Sequence, residues 1–70
     1  MNILATKIDG KTTYTLREEI RPAGPSGESR SIYWVLSHTT DPNNYHRLWD
    51  GVNGLTARSK YESMPGTPVA

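Results

Sequence analysis

The pair Asp9-Gly10 sits between NILATKI and KTTYTLREEI, two segments in which apolar and polar residues alternate. A two-residue Asp-Gly loop between alternating runs is a strong hairpin signal, because its backbone twist matches that of the strands it joins. The chain is therefore expected to open with a β-hairpin, and a hairpin is stable only when one of its faces is covered. Counting outward from an Asp9-Gly10 loop sets Ile8 against Lys11, Ala5 against Tyr14 and Ile3 against Leu16. One face then carries Ile3, Ala5, Tyr14, Leu16 and Ile20, and the other carries Leu4, Thr6, Thr13, Thr15, Arg17 and Glu19. The first is the expected core face.

The punctuation of the rest of the chain suggests what covers it. Residues 21–31, rich in Pro, Gly and Ser, read as a mobile loop. A third strand is expected from Ile32 to Thr39, with Ile32, Trp34, Leu36 and His38 on one side and Tyr33, Val35 and Ser37 on the other. Asp41-Pro42 has the form of a helix start, and Tyr45, Leu48, Trp49 and Val52 follow at helical spacing, so a short helix over 42–50 is expected to cover the Trp34 side. A competing reading makes YHRLW a strand that turns at Asp50-Gly51. The alternation in LTARSKYE, 55–62, predicts a fourth, edge strand, and 63–70 reads as a disordered tail. The expectation is one small α+β domain, residues 1–62, with an antiparallel sheet of three to four strands and one short helix packed on one face.

A chain of 70 residues buries only about 60% of the surface its unfolded form exposes. Its apolar share is 34% and it has no cysteine, so neither a disulfide nor a thiolate metal site supplements a small core. MNILATKIDG lacks the basic start and long apolar stretch of a secretory signal, and no apolar run reaches bilayer length. A cytoplasmic location without a membrane partner is the expectation. The formal net charge of +1 is far from the strongly basic balance of non-specific nucleic-acid binders.

Motifs for catalysis are weak. His38, His46, Asp41 and Asp50 are the only group suggesting a metal or a proton relay, and on the expected helix only His46 and Asp50 share a face, too few ligands for zinc. Ser37 and His38 are adjacent in a strand and point apart, as do Glu18 and Glu19. The glycines of AGPSGES lack the Lys-Ser/Thr ending of a phosphate loop. No enzymatic activity and no cofactor are expected. The remaining signal is the open side of the sheet, where Thr13, Thr15, Arg17, Tyr33 and Val35 are expected to meet a partner, joined by Arg58 and Lys60 from the fourth strand. The expected function is a small protein-binding module, an inhibitor or adaptor of the sort phage and mobile elements use on host proteins. A DNA-binding domain laying its sheet in a groove is the alternative, and Tyr33 packed against a second copy in a homodimer is a third possibility.

Overall fold

The computed structural model describes residues 2–22 and 24–69. The elements in chain order are β1 (Asn2–Asp9), β2 (Thr12–Pro22), β3 (Ser29–His38), β4 (His46–Gly51), α1 (Gly54–Glu62) and β5 (Thr67–Pro68). The strands form one antiparallel sheet in the order β4-β3-β2-β1-β5, with α1 across one face. This is the expected α+β architecture with a fifth strand. Of the stretch 21–31, residues 21–22 and 29–31 lie in strands, and Ala23 is outside the described residues. Within 63–70, β5 pairs with Lys7 and Ile8, and Ala70 is outside the described residues.

The first hairpin forms one residue later than its sequence signal suggests. Asp9 pairs with Thr12, so the two-residue loop is Gly10-Lys11, with only Gly10 at positive φ (+61°). Such a loop needs Gly at its first central position, and Asp9 stays extended. The cross-strand pairs become Ile8 with Thr13 and Ala5 with Leu16. A bulge at Leu4 then sets Ile3 opposite Arg17, which removes Ile3 from the core side.

The helix and the fourth strand exchange places relative to the sequence reading. Asp41 does use its side chain as a cap acceptor, taking a hydrogen bond from Asn43 N at 2.9 Å, but Asn44 N closes back on the Asp41 carbonyl at 3.0 Å and the segment ends as a turn. His46–Gly51 is a strand beside β3, as the competing reading had it. The helix follows it: Asn53 Oδ1 accepts from Leu55 N and Thr56 N at 3.0 and 3.1 Å, and Ala57 and Tyr61, one turn apart, are buried. The strand-like alternation of 55–62 is thus a helix of nine residues.

α1 lands on the side of Leu16, Val35, Tyr14 and Tyr33, where Leu16, Val35, Ala57 and Tyr61 form the core and Ala5, Trp49 and Met64 pack around it. The expected sidedness of β3 is therefore reversed. Its cause is the register between β2 and β3, in which Leu16 faces Val35 and Arg17 faces Trp34. Lys7 locks the layers together. Its Nζ donates to the carbonyls of Tyr61, Glu62 and Met64 at 3.4, 3.0 and 3.3 Å and lies 4.9 Å from the Tyr61 ring centre. The first two belong to the last residues of α1, whose carbonyls a helix C-terminus leaves without intrahelical donors, and the third lies just beyond it.

Two expectations follow. Burial pushes the Tyr61 phenol above its ordinary value near 10, Glu62 adds to the rise and Arg58 opposes it. A raised acid contributes stability that is complete below the unfolded value and is lost as pH rises through the folded one. Denaturation midpoints should thus fall above about pH 10, and Tyr61→Phe should remove that part of the decline. Gly66 has φ +112°, and a Cβ there would stand 2.7 Å from the Ile8 carbonyl oxygen. Gly66→Ala should therefore cost more than about 1 kcal/mol in urea unfolding.

Candidate functional site

The face away from α1 is read directly from the register. β2 contributes Thr13, Thr15, Arg17, Glu19 and Arg21; β3 contributes Arg30, Ile32, Trp34, Leu36 and His38 opposite them. A bulge at Leu48 brings Arg47 opposite Leu36, while Trp49 stays opposite Val35 on the core side. The open face therefore has its own floor. Thr15 is 2% exposed and Leu36 1% exposed, although both point away from the helix.

What encloses them is a second layer of arginines and aromatic rings. The Arg17 guanidinium lies over the Tyr45 ring at 5.7 Å, and Arg47 lies over the Trp34 ring at 5.4 Å. Arg17 Nε also donates to Thr15 Oγ1 at 3.1 Å. Tyr45 comes from the turn before β4 and remains 45% exposed. Such stacking is worth about 0.5–1 kcal/mol at an exposed site, so it orients these groups more than it stabilises the fold.

Charge on this face is one-sided. Arg17, Arg21, Arg30 and Arg47 stand against Glu19 and Asp50. Arg21 Nη2 pairs with Glu19 Oε1 at 2.9 Å, and Arg47 approaches Asp50 at 3.8 Å. The hydrogen bond and charge of Arg21 hold the Glu19 carboxyl below its usual range, with a weaker pull from Trp34. The Trp34 indole Nε1 nevertheless makes no hydrogen bond among the described residues, nor does His38 Nδ1. Among the described residues no three His, Asp or Glu side chains converge as metal ligands.

Of the residues expected from sequence to form one surface, only Thr13, Thr15 and Arg17 share the open face. Tyr33 and Val35 are on the helix side, Val35 wholly buried and Tyr33 against Gly54, where an added Cβ would come within 3.1 Å of its ring. Arg58 and Lys60 are on α1, exposed, and belong to the other side of the molecule. Trp34, Tyr45 and Arg47 were not expected at the site. The alternation of β2 marks Thr13, Thr15 and Arg17 as the polar side, but Trp34 joins them only through the β2–β3 register that pairs it with Arg17, for which the sequence carries no signal.

The expected contrast between the two neighbouring rings disappears. Trp34 and Tyr33 are both half-buried on opposite faces, so Tyr33→Ala and Trp34→Ala should each cost upward of about 2 kcal/mol by thermal or chemical denaturation. Tyr45→Ala should cost less than about 1 kcal/mol. No protein-family model matches the chain, and comparison with curated proteins and with solved structures finds no significant match.

Proposed function

We propose that the chain is a small non-enzymatic protein-binding module, suited to an inhibitor or adaptor role, that docks through the open face of its sheet. The observation that carries this reading is the pair of stacked contacts, Arg17 on Tyr45 and Arg47 on Trp34. Trp, Tyr and Arg are the residues most enriched where binding energy concentrates, because each joins a large contact area to a directed polar group. Stacking also restricts the arginine side chains before a partner arrives, which lowers the ordering cost of binding. Thr15 and Leu36 support them from below.

The second reading is a nucleic-acid surface, favoured by the four arginines on this face, Arg17, Arg21, Arg30 and Arg47. Guanidinium groups suit phosphate, and aromatic rings suit bases. Glu19 and Asp50, on the same face, oppose it.

Immobilised chain, with and without nuclease treatment of the lysate, tests both readings. The expected result is a protein retained after nuclease, released by Tyr45→Ala combined with Arg47→Ala, and held at raised salt. Capture that vanishes with nuclease, or affinity that falls on a log–log plot by about 0.9 per phosphate contacted, would establish the nucleic-acid reading instead. Capture unaffected by the double variant would remove this face from the function.

A further inference from the structure

The two edges of the sheet differ in how they are protected. Both outer strands carry a bulge, at Leu48 in β4 and at Leu4 in β1, and what sets β4 apart is the charged Arg47 and Asp50, which discourage strand pairing. The β1 edge is covered by β5 only at Lys7 and Ile8, with one further bond from Val69 N to the Thr6 carbonyl at 2.9 Å. Pro68, lacking an N–H, blunts the covered part. Asn2–Ala5 has no strand on its outer side among the described residues, carries no charge, and exposes Ile3 and Leu4 at 58% and 44%.

This open lane runs beside a hollow of about 510 Å³ between β1, α1 and β5, lined in part by Leu4, Lys7, Arg58, Tyr61 and Val69. A second hollow of about 410 Å³ lies on the other side of Arg58, against Leu4, Leu16 and Tyr33. Arg58 borders both and has no carboxylate within 4.0 Å among the described residues. The other charged groups lining the hollow are Lys7, spent on the carbonyls of Tyr61, Glu62 and Met64, and the Glu62 carboxylate, which stands one turn from Arg58 without pairing to it within 4.0 Å.

We infer that the Asn2–Ala5 edge of β1 accepts an extended peptide strand whose helix-facing residues are acidic and whose alternate residues are apolar. The added strand continues the lane of β5 and runs antiparallel to β1. Its backbone pairs with the free edge, as in other strand-addition complexes. Strand alternation sends every second side chain toward Arg58, where a carboxylate completes an ion pair, and the others toward the side of Ile3. A second copy of this chain fits less well, since its own NILA segment brings no acid to Arg58. Only Ile3 is shared with the side of the open face, and the site does not depend on the layer of Arg17, Tyr45, Arg47 and Trp34.

The probe is a blocked synthetic peptide, Val-Glu-Val-Glu-Val-Glu, compared with Val-Lys-Val-Lys-Val-Lys in titrations followed by amide NMR. The expected result is shifts confined to Asn2–Thr6, Arg58 and Val69, slowed exchange of edge amides, and affinity for the acidic peptide about tenfold above the basic one, the equivalent of about 1.4 kcal/mol. Arg58→Ala, at an exposed position, should erase that preference while leaving the fold intact. Equal binding of the two peptides, shifts centred on β4 or the open face, or no shifts at millimolar peptide would overturn the proposal. Shifts at Asn2–Ala5 that grow with protein concentration alone would replace it with self-pairing of β1.

Discussion

The buried ammonium of Lys7 ties this fold together. The residue is only 9% exposed and has no carboxylate within 4.0 Å among the described residues; its charge is taken up by the carbonyls of Tyr61 and Glu62 at the end of α1, by that of Met64 just beyond it and by the Tyr61 ring. Burying a charge is costly unless it is fully hydrogen-bonded. Here two of the acceptors, the Tyr61 and Glu62 carbonyls, carry the partial negative charge of a helix C-terminus. One side chain thus satisfies the end of the helix and fastens residue 7 to residues 61–64, across most of the chain. Its aliphatic stem leaves the apolar core of Leu16, Val35, Ala57 and Tyr61 intact beside it.

Fixing α1 to that side leaves the opposite side to solve its own problem. A sheet this small cannot leave a broad apolar face in water, and among the described residues there is no second helix to cover one. Leu36 and Thr15 are instead sheltered by long side chains, two of them arginines laid over aromatic rings. The same groups that shelter the floor are those best suited to meet a partner. A layer that is structurally modest and chemically rich tolerates exchange of solvent for another surface, which is the ground for proposing it as the working face.

Class and composition of the fold were legible in the sequence, while sidedness was not. Alternation and the Asp9-Gly10 signal located the first hairpin to within one residue, and the Tyr14–Leu16 side was rightly the core side. Segments 42–50 and 55–62 were misread because each fits both periods. Tyr45, Leu48 and Trp49 form a helical stripe, yet Asp41 spends its capping power on a turn; Leu55, Ala57 and Tyr61 alternate, yet Asn53 caps a helix whose buried pair is Ala57 and Tyr61. The reversal at Tyr33 and Trp34 has a sharper cause. Which ring meets Leu16 depends on the register across the connection from Pro22 to Ser29, and a slip of one residue would have sent Trp34 to the core. Glycine- and proline-rich connections do not encode such a register.

Replacing Lys7 by Met keeps the apolar stem and removes the ammonium, so the urea-unfolding free energy of Lys7→Met is the most direct measurement. The role given to Lys7 predicts a loss of about 2–3 kcal/mol, with α1 amides losing the most protection from hydrogen exchange. A variant as stable as the parent or more so, as happens when a buried ion is merely tolerated, would contradict it.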